Sequence, residues 1–246
     1  MKKRVLIETR ELGLALPLRI GRERSLKGLI LNRSVGRQKS TIYRPILTNI
    51  NLKIFSGESL SIVGRNGTGK SSLLRLLSGI FAPSVGSVNS FGTISPLIEL
   101  DGAFSGELTV EENISLLLTL LEVAREKHAE ISEAVLEFSE LRDFSFQQMR
   151  TLSTGMKARF AFAFATSLPA DLILIDESLS VGDSSFSKKA ISRIEEKKRQ
   201  GVSIVLVTHD LQLAREITSK CLWLEEGSTV LFGRTKRVLE KYEKSL

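Results

Sequence analysis

The hydrophobic positions of the chain form short apolar runs that alternate with amphipathic stretches. Runs with the length and character of β-strands occur at residues 5–7, 46–55, 59–63, 171–176 and 202–207. Short strands broken by Pro and Gly are expected over residues 80–100, and a hairpin around Glu225-Glu226-Gly227. Helical stretches follow the later strands, so the pattern predicts an α/β fold with a mainly parallel sheet.

A helix-only stretch at about residues 109–168 interrupts this alternation. Thr109 and Glu112 form a capping-box pattern, and the helix that they open carries Ile114, Leu117, Leu118 and Leu121 on one face. Further helices are predicted at about residues 125–138 and 154–167. We therefore expect a helical subdomain inserted into a single α/β domain that spans residues 1–246.

Length and composition limit the class of protein. The 246 residues are 42% hydrophobic and 26% charged, which is typical of a globular chain. The chain has no run of 18 apolar residues, and Glu8 ends the first apolar run after three residues, so neither a membrane helix nor a signal peptide is expected. The single cysteine, Cys221, excludes an internal disulfide and fits the reducing cytosol.

The net charge of +7 is concentrated at the N-terminus. Residues 1–50 hold 12 Lys and Arg against 3 Asp and Glu, whereas the remainder holds 23 against 25. Most of the excess lies between Arg19 and Arg44, in a segment at residues 8–44 that we expect to be irregular apart from a short helix near residues 25–31. The segment is either a solvated loop or a contact for anionic lipid, a partner protein or nucleic acid.

A glycine-rich motif follows the apolar run at residues 59–63. It reads Gly64-Arg65-Asn66-Gly67-Thr68-Gly69-Lys70-Ser71 and matches the phosphate-binding pattern G-x-x-x-x-G-K-[ST], with a predicted helix after it. The glycines let backbone N–H groups approach phosphate oxygens, and the helix adds the positive end of its dipole. We expect Lys70 to reach the β- and γ-phosphates of ATP, Ser71 to bind Mg²⁺, and Ser72 to contact the nucleotide.

Two carboxylates end the apolar run at residues 171–176. Asp176 is expected to hold Mg²⁺ and Glu177 to polarise the attacking water. By itself, a strand that ends in two acids is weak evidence for a catalytic site. Here the phosphate-loop residue Lys70 lies 106 residues before Asp176, and the two motifs together are strong evidence for a nucleotide-hydrolysing site.

One histidine ends another buried run. His209 follows residues 202–207 and should leave the same sheet edge as Asp176, where ligands of open α/β sheets bind. We interpret His209 as a sensor of the γ-phosphate rather than a structural residue. The other histidine, His128, lies in a charged stretch and is expected to be solvated.

The order of these motifs resembles that of the ABC ATPase family. Leu152-Ser153-Thr154-Gly155-Met156, which lies 23 residues before Asp176 when counted from Ser153, is similar to the family's signature segment. The resemblance implies a P-loop NTPase core with an antiparallel β N-terminal lobe and a helical subdomain that carries the signature. It also implies ATP and Mg²⁺ as cofactors and a homodimer, in which Ser153, Thr154, Gly155, Met156 and Asp183 contact nucleotide.

Three segments are similar to one branch of the family, the ATPases that export O-antigen, capsule or teichoic acid. They are residues 97–114, residues 177–183 with Gly182 where most transporters carry leucine, and Ser25-Leu26-Lys27 in the basic segment. The branch implies an ATPase that works with transmembrane permease subunits at the cytoplasmic face of the inner membrane. Some O-antigen ATPases add a C-terminal sugar-binding domain, and because the chain stops at Leu246 none is expected.

Thr154 and Met156 differ from the usual signature, and two further features also depart from the family pattern. Ser105 aligns with the glutamine of the loop that joins the two lobes, and it lacks the amide. The aromatic residue that stacks on adenine is not evident, and Tyr43 is the nearest candidate, although a surface role fits that residue equally well.

Two other functions remain open at this stage. A soluble ABC ATPase acting on nucleic acid or another cytosolic partner is compatible with the basic N-terminus, but only 83 residues separate Lys70 from Ser153, which leaves no room for the long coiled coil of chromosome-type members. An exporter of another branch, for drugs or lipids, is the second alternative.

Neutralising Arg22, Arg24 and Lys27 together is expected to lower glycan export while ATP affinity stays unchanged. Residues 19–44 hold 8 basic residues against one acid, Glu23. Each basic residue near an anionic bilayer contributes about 1 kcal/mol to the free energy of membrane binding, and salt screens this attraction beyond roughly 8 Å. Export in cells and ATP binding by the purified protein are the two measurements. Undiminished export would indicate that the segment is a solvated loop. Tight, salt-sensitive DNA binding by the wild type would favour the nucleic-acid function.

Overall fold

The computed structural model describes residues 4–17, 42–97, 104–176 and 184–246. Glu177, Asp183 and the basic residues from Arg19 to Lys39 lie outside these ranges, as does the short helix predicted near residues 25–31. In chain order the strands are β1 (Val5–Pro17), β2 (Tyr43–Phe55), β3 (Ser59–Val63), β4 (Val85–Ser90), β5 (Ile94–Pro96), β6 (Leu172–Ile175), β7 (Ser203–Val207), β8 (Lys220–Glu225) and β9 (Ser228–Arg234). The helices are α1 (Lys70–Leu77), α2 (Val110–Leu120), α3 (His128–Ser139), α4 (Thr154–Ser167), α5 (Ser184–Arg199), α6 (Leu211–Ile217) and α7 (Thr235–Glu243).

The larger sheet has six strands in the order β5-β6-β7-β3-β8-β9. The neighbouring pairs from β5 to β8 are parallel, and β9 joins β8 as an antiparallel hairpin. The mainly parallel sheet and the hairpin at residues 225–227 are thereby confirmed. The helices α2 to α4 lie between β5 and β6 in the chain, so the predicted interruption by helices is also confirmed.

Strand β6 is apolar on both faces of the sheet. Ile173 and Ile175 of β6 belong to one core cluster, whereas Leu172 and Leu174 belong to the cluster on the opposite face. A parallel sheet covered on both sides needs such continuous apolar strands. This explains why residues 171–176 and 202–207 showed no polar alternation.

The smaller sheet is antiparallel, with the order β2-β1-β4. It corrects the expectation that residues 8–44 are irregular, because β1 continues to Pro17, which pairs with Tyr43 of β2. Leu12 and Leu14 are buried along this ribbon. Their alternation is obscured by Glu11, whose left-handed backbone (φ 47°) coincides with a shift in strand register.

Helix α2 begins at the predicted capping box. The Glu112 N–H donates to Thr109 Oγ1 at 3.2 Å, and the Thr109 N–H donates to Glu112 Oε2 at 2.8 Å. Ile114, Leu117 and Leu118 are buried as expected, but the placement of Leu121 on the same buried face is wrong. Leu121 follows the last helical residue and is 47% exposed.

The expectation for His128 is also corrected. This residue is half-buried at the start of α3, and its Nε2 lies 2.9 Å from the Val123 carbonyl oxygen. The 3-10 turn Arg125–Lys127 folds the chain back between the two residues and so permits this contact. Within the described ranges, no helix combines the length and hydropathy needed to cross a membrane.

Helix α4 carries a continuous run of buried residues from Phe160 to Thr166. Phe160 is fully buried, 4.9 Å from the Phe104 ring and 6.3 Å from the Phe164 ring, measured between centroids. Phe146, in contrast, is 82% exposed.

Replacement of Phe160 by alanine is expected to lower the free energy of unfolding by about 3–5 kcal/mol, because it leaves a cavity where packing is dense. Phe146→Ala is the matched control and should change stability by less than about 0.5 kcal/mol. Urea unfolding followed by circular dichroism measures both. Equal stabilities of the two variants would contradict the core assignment.

Candidate functional site

Three neighbouring parallel strands end side by side at one edge of the larger sheet. β7 lies between β6 and β3, with Ile175 opposite Leu206 and Val207 opposite Ile62. The residues that follow these strands are Asp176 after β6, Thr208 and His209 after β7, and the glycine-rich loop after β3. Three sequence-predicted groups therefore meet at one edge.

The glycines of the loop have distinct roles in its path. Gly64, Gly67 and Gly69 have φ values of 154°, 80° and 98°, which side chains rarely permit. A Cβ at Gly64 would lie 2.2 Å from the Leu224 carbonyl oxygen, and one at Gly69 would lie 2.8 Å from Leu47 Cδ2. A Cβ at Gly67 would meet nothing within 4 Å. The loop is thus pressed onto the protein at both ends and open in its middle.

Lys70 begins α1 beneath this loop. Only 6% of the residue is exposed, and its Nζ donates to the carbonyl oxygens of Gly64 at 2.8 Å and Arg65 at 3.0 Å. The Thr68 hydroxyl donates to the same Arg65 oxygen at 2.9 Å. Burial lowers the pKa of the Lys70 amine, and the charge of Asp176 acts in the opposite direction.

Asp176 is the acidic centre of the site. Burial raises the pKa of its carboxyl, while a hydrogen bond from the Ser71 hydroxyl, the charges of Arg75 and Lys70, and His209 when protonated act to lower it. The hydrogen bond places Ser71 and Asp176, the two predicted metal ligands, in contact with each other.

His209 is exposed at the end of β7. Partial burial lowers the pKa of its imidazole, Lys70 lowers it further, and Asp176 raises it. The neutral ring therefore predominates at pH 7, because the ordinary pKa is already about 6.5. The neighbouring Thr208 is buried, and its Oγ1 accepts the Asp210 N–H at 3.0 Å, which fixes the turn that carries the histidine.

Arg75 was not predicted from the sequence. It lies on α1 four residues after Ser71, so both occupy one helix face, and its charge acts on Asp176. Helical spacing from the motif serine was the only signal that could have indicated it.

Ser105 is held by a buried amide. Asn113 of α2 is fully buried; its Oδ1 accepts the Ser105 N–H at 2.8 Å, and its Nδ2 donates to the Ser105 carbonyl oxygen at 3.0 Å. The same Nδ2 also donates to the carbonyl oxygens of Leu108 and Thr109. The Asn113 side chain thus fixes the backbone from Ser105 to Thr109, which leads into α2. These contacts involve only the backbone of Ser105 and do not depend on the length of its side chain.

The signature segment forms the start of α4. Ser153 is the N-cap, and its Oγ accepts the Met156 N–H at 3.2 Å. Ser153 and Thr154 are exposed, while Gly155 and Met156 are half-buried. The exposed end of a 14-residue helix therefore presents backbone N–H groups and a hydroxyl to the surface.

The remaining predicted residues are less constrained. Tyr43 is 60% exposed at the start of β2, three residues before Ile46, whose carbonyl oxygen lies against Gly69. Glu177 and Asp183 lie outside the described residues. Arg65, Asn66 and Gly67 are exposed along the outer edge of the loop, and Ser72 is half-buried on α1.

Two cavities are relevant to the site. One of about 290 Å³ adjoins the loop and is lined by Gly64, Arg65, Asn66, His209 and Tyr242, among others. A larger one of about 390 Å³ lies in the antiparallel sheet and contains no predicted site residue. We place the candidate site at the first because residues of the glycine-rich loop and His209 line it. The part of the chain that is described has no group of three or more His, Cys, Asp or Glu side chains able to hold a metal.

The sequence matches known proteins along most of its length. The model of the ABC transporter family matches residues 47–180. The teichoic acids export ATP-binding protein TagH of Bacillus anthracis is 36% identical over 210 residues, which cover 85% of this chain and 38% of that protein. The O-antigen export system ATP-binding protein RfbB of Klebsiella pneumoniae is 36% identical over 200 residues, or 81% of each chain.

The fold also matches solved structures. The dimeric ATP-binding cassette MJ0796, in a post-hydrolysis state with ADP and Pi, superposes with a TM-score of 0.76 at 22% identity. The match covers 94% of this chain and 99% of that one. At this identity the likeness concerns the fold alone, and it includes the mixed sheets and helices described above.

Proposed function

The chain belongs to the ABC transporter family of ATP-binding proteins, and we propose that it is the ATP-binding and ATP-hydrolysing subunit of an exporter that moves a lipid-linked polysaccharide across the inner membrane. The observation that carries the catalytic part is the meeting of Lys70, Ser71, Asp176 and His209 at one sheet edge. The cargo class rests on relatives named for O-antigen and teichoic acid export.

In this proposal the glycine-rich loop holds the phosphates of ATP. The first N–H groups of α1 have no acceptor within the helix, and the helix dipole favours an anion there. Lys70 donates to two neutral carbonyl oxygens, and a phosphate oxygen is the stronger acceptor for its ammonium group. Tyr43, exposed on the strand that covers the loop, is proposed to stack on adenine.

The donor set fits the magnesium ion that the family uses with ATP. Ser71 and Asp176 contribute a hydroxyl and a carboxylate that already contact each other, and Mg²⁺ binds one or two protein oxygen ligands together with water and phosphate. When bound, the ion neutralises negative charge on the phosphates. Burial raises the pKa of the Asp176 carboxyl, while Ser71, Arg75 and Lys70 act in the opposite direction, toward the ionised form that a metal ligand requires.

Two residues are proposed to act on the attacking water and the γ-phosphate. Glu177, which follows Asp176 at the end of β6, accepts a proton from the water as general base. His209 is predominantly neutral at pH 7, so its ring can form a hydrogen bond with phosphate or water without adding charge at the site.

We infer that the working unit is a homodimer with transmembrane permease subunits. Ser153, Thr154, Gly155 and Met156 are presented at the exposed start of α4, where an anion is favoured. In the proposed dimer they complete the ATP site of the other copy, together with Asp183. The dimer then associates peripherally with the cytoplasmic face of the inner membrane through the permease, and nucleic acid is not a partner.

The first prediction concerns the general base. Glu177→Gln should retain ATP binding and lose turnover by about 10²–10⁴-fold, because an amide cannot accept the proton of the water. Phosphate release by the complex with its permease measures turnover, and Glu130→Gln, on the exposed surface of α3, is the control. Wild-type turnover in Glu177→Gln would remove Glu177 from this role.

In the source organism the same variant tests the cargo. Loss of the gene should abolish the surface polysaccharide and leave lipid-linked glycan inside the cell, with rescue by the wild type and not by Glu177→Gln. A normal surface glycan would point to another exporter branch or to a cytosolic partner.

A further prediction concerns the second subunit. ATP should drive dimerisation of Glu177→Gln, and Ser153→Arg should block hydrolysis while the monomer still binds nucleotide, because the arginine obstructs only the exposed end of α4. Size-exclusion chromatography and ATP titration measure the two effects. Ser228→Arg, also an exposed serine, serves as control. Normal hydrolysis by Ser153→Arg would exclude the shared site.

A further inference from the structure

Three helices meet at Glu140, the residue that ends α3. Its backbone is left-handed, with φ 62° and ψ 34°, and it caps the helix by donating its N–H to the Glu137 carbonyl oxygen at 3.2 Å. Such a conformation is strained for glutamate and favours glycine or asparagine. Backbone conformation alone would favour glycine or asparagine at position 140, and the chain has glutamate there.

The Glu140 side chain bridges the two other helices. Its Oε2 accepts from Arg159 Nη1 of α4 at 3.0 Å, and its Oε1 accepts from Lys189 Nζ of α5 at 3.0 Å. Lys189 Nζ also donates to the Phe138 carbonyl oxygen at 2.9 Å. One carboxylate therefore connects two cations that are 30 residues apart in the chain and lie on separate helices.

An aromatic cluster supports these ion pairs from below. The rings of Phe138, Phe162 and Phe186, one from each helix, have centroids 5.8–6.0 Å apart. Lys189 Nζ lies 4.8 Å from the Phe138 centroid, and the Arg159 guanidinium lies 5.3 Å from that of Phe186. Because each cation contacts both a ring and the carboxylate, the geometry is more restricted than that of an isolated surface pair.

The two bridged helices begin at functional segments. Arg159 lies five residues after the start of α4, where the signature segment is exposed, and Lys189 lies five residues after the start of α5. Helix α5 directly follows residues 177–183, which contain Glu177 and Asp183. The bridge is therefore about one and a half turns from each segment.

We propose that Glu140 is a positioning residue that keeps the start of α4, which carries the signature segment, at a fixed spacing from the start of α5, which follows Asp183 in the chain. This inference rests on the proposed function, in which the signature segment and Asp183 act at the ATP site of the second subunit. A fixed spacing of the two helix starts lets both act on that subunit together, so the bridge contributes to turnover in the dimer and not to nucleotide binding by one subunit.

The test is the variant Glu140→Asn. Asparagine suits the left-handed backbone at this position and removes the charge, so thermal stability should be equal or higher, whereas kcat of the permease complex should fall about two- to fivefold, the upper part of the range expected for partly exposed ion pairs. KM and the affinity of the monomer for ATP should stay within about twofold. A bridge that only stabilised the fold would instead lower stability and leave kcat unchanged.

Two matched variants complete the design. Glu133 also lies on α3, and its carboxylate pairs with Arg142. Glu133→Gln removes that carboxylate and should leave kcat unchanged. Glu140→Asn combined with Lys189→Gln should lower kcat by less than the product of the two single effects, because both changes break the same ion pair.

An activity-independent measurement separates this inference from the proposed function. Spin labels at Lys157→Cys on α4 and Lys188→Cys on α5 report the spacing, since the native Cys221 is buried and burial raises its pKa to about 11. The distance distribution should broaden in Glu140→Asn. An unchanged distribution, or an unchanged kcat, would overturn the role of Glu140. A wild-type complex without ATPase activity, with a distribution that still broadens, would overturn the proposed function and leave the bridge in place.

Discussion

The site depends on the parallel hydrogen-bond ladder that joins β6, β7 and β3. Because these strands run in one direction and in register, whatever follows each of them is delivered to the same edge of the sheet. The ladder is stable only when both faces of the sheet are covered, and every residue of the three strands is buried. The helices and the antiparallel sheet supply that cover. The chemistry at the edge therefore requires almost the whole fold, although it uses few residues.

Burial and charge oppose each other at this edge. Burial favours a neutral Lys70 and a neutral Asp176, yet each charge stabilises the other, and Arg75 adds to the field at the carboxylate. A set of buried and partly buried charges that balance only in part is suited to a polyanionic ligand with its cation, because binding supplies further partners for these charges. The glycines contribute in a different way. They allow the backbone to pass close to Leu224 and Leu47 and so leave the middle of the loop open to a ligand.

Much of the fold could be predicted because its strongest signals are local. A fully apolar run indicated β6, a buried run indicated β7, the capping box of Thr109 marked the start of α2, and motif residues after strand ends were expected to meet. The errors also have local causes. The left-handed Glu11 interrupts the alternation of β1, and Leu121 lies one residue beyond its helix, where the helical period no longer applies. Asn113 with Ser105 and Glu140 with its two cations were not predictable, since their contacts depend on tertiary packing and carry no sequence period.

The order of strands in the larger sheet has a consequence for synthesis of the chain. β3, which leads into the phosphate loop, pairs with β7 and β8. Ser59 can therefore form its strand pair only after Ile204 has been synthesised, and Leu60 only after Lys220. The antiparallel sheet, in contrast, has all its strands by Ser90. At ribosomal rates the interval between β3 and its partners is on the order of 10–30 s. During that time the apolar strand and the glycine-rich loop emerge without the strands that pair with β3, so the incomplete chain exposes an unpaired strand edge, which favours aggregation until β7 and β8 have been made.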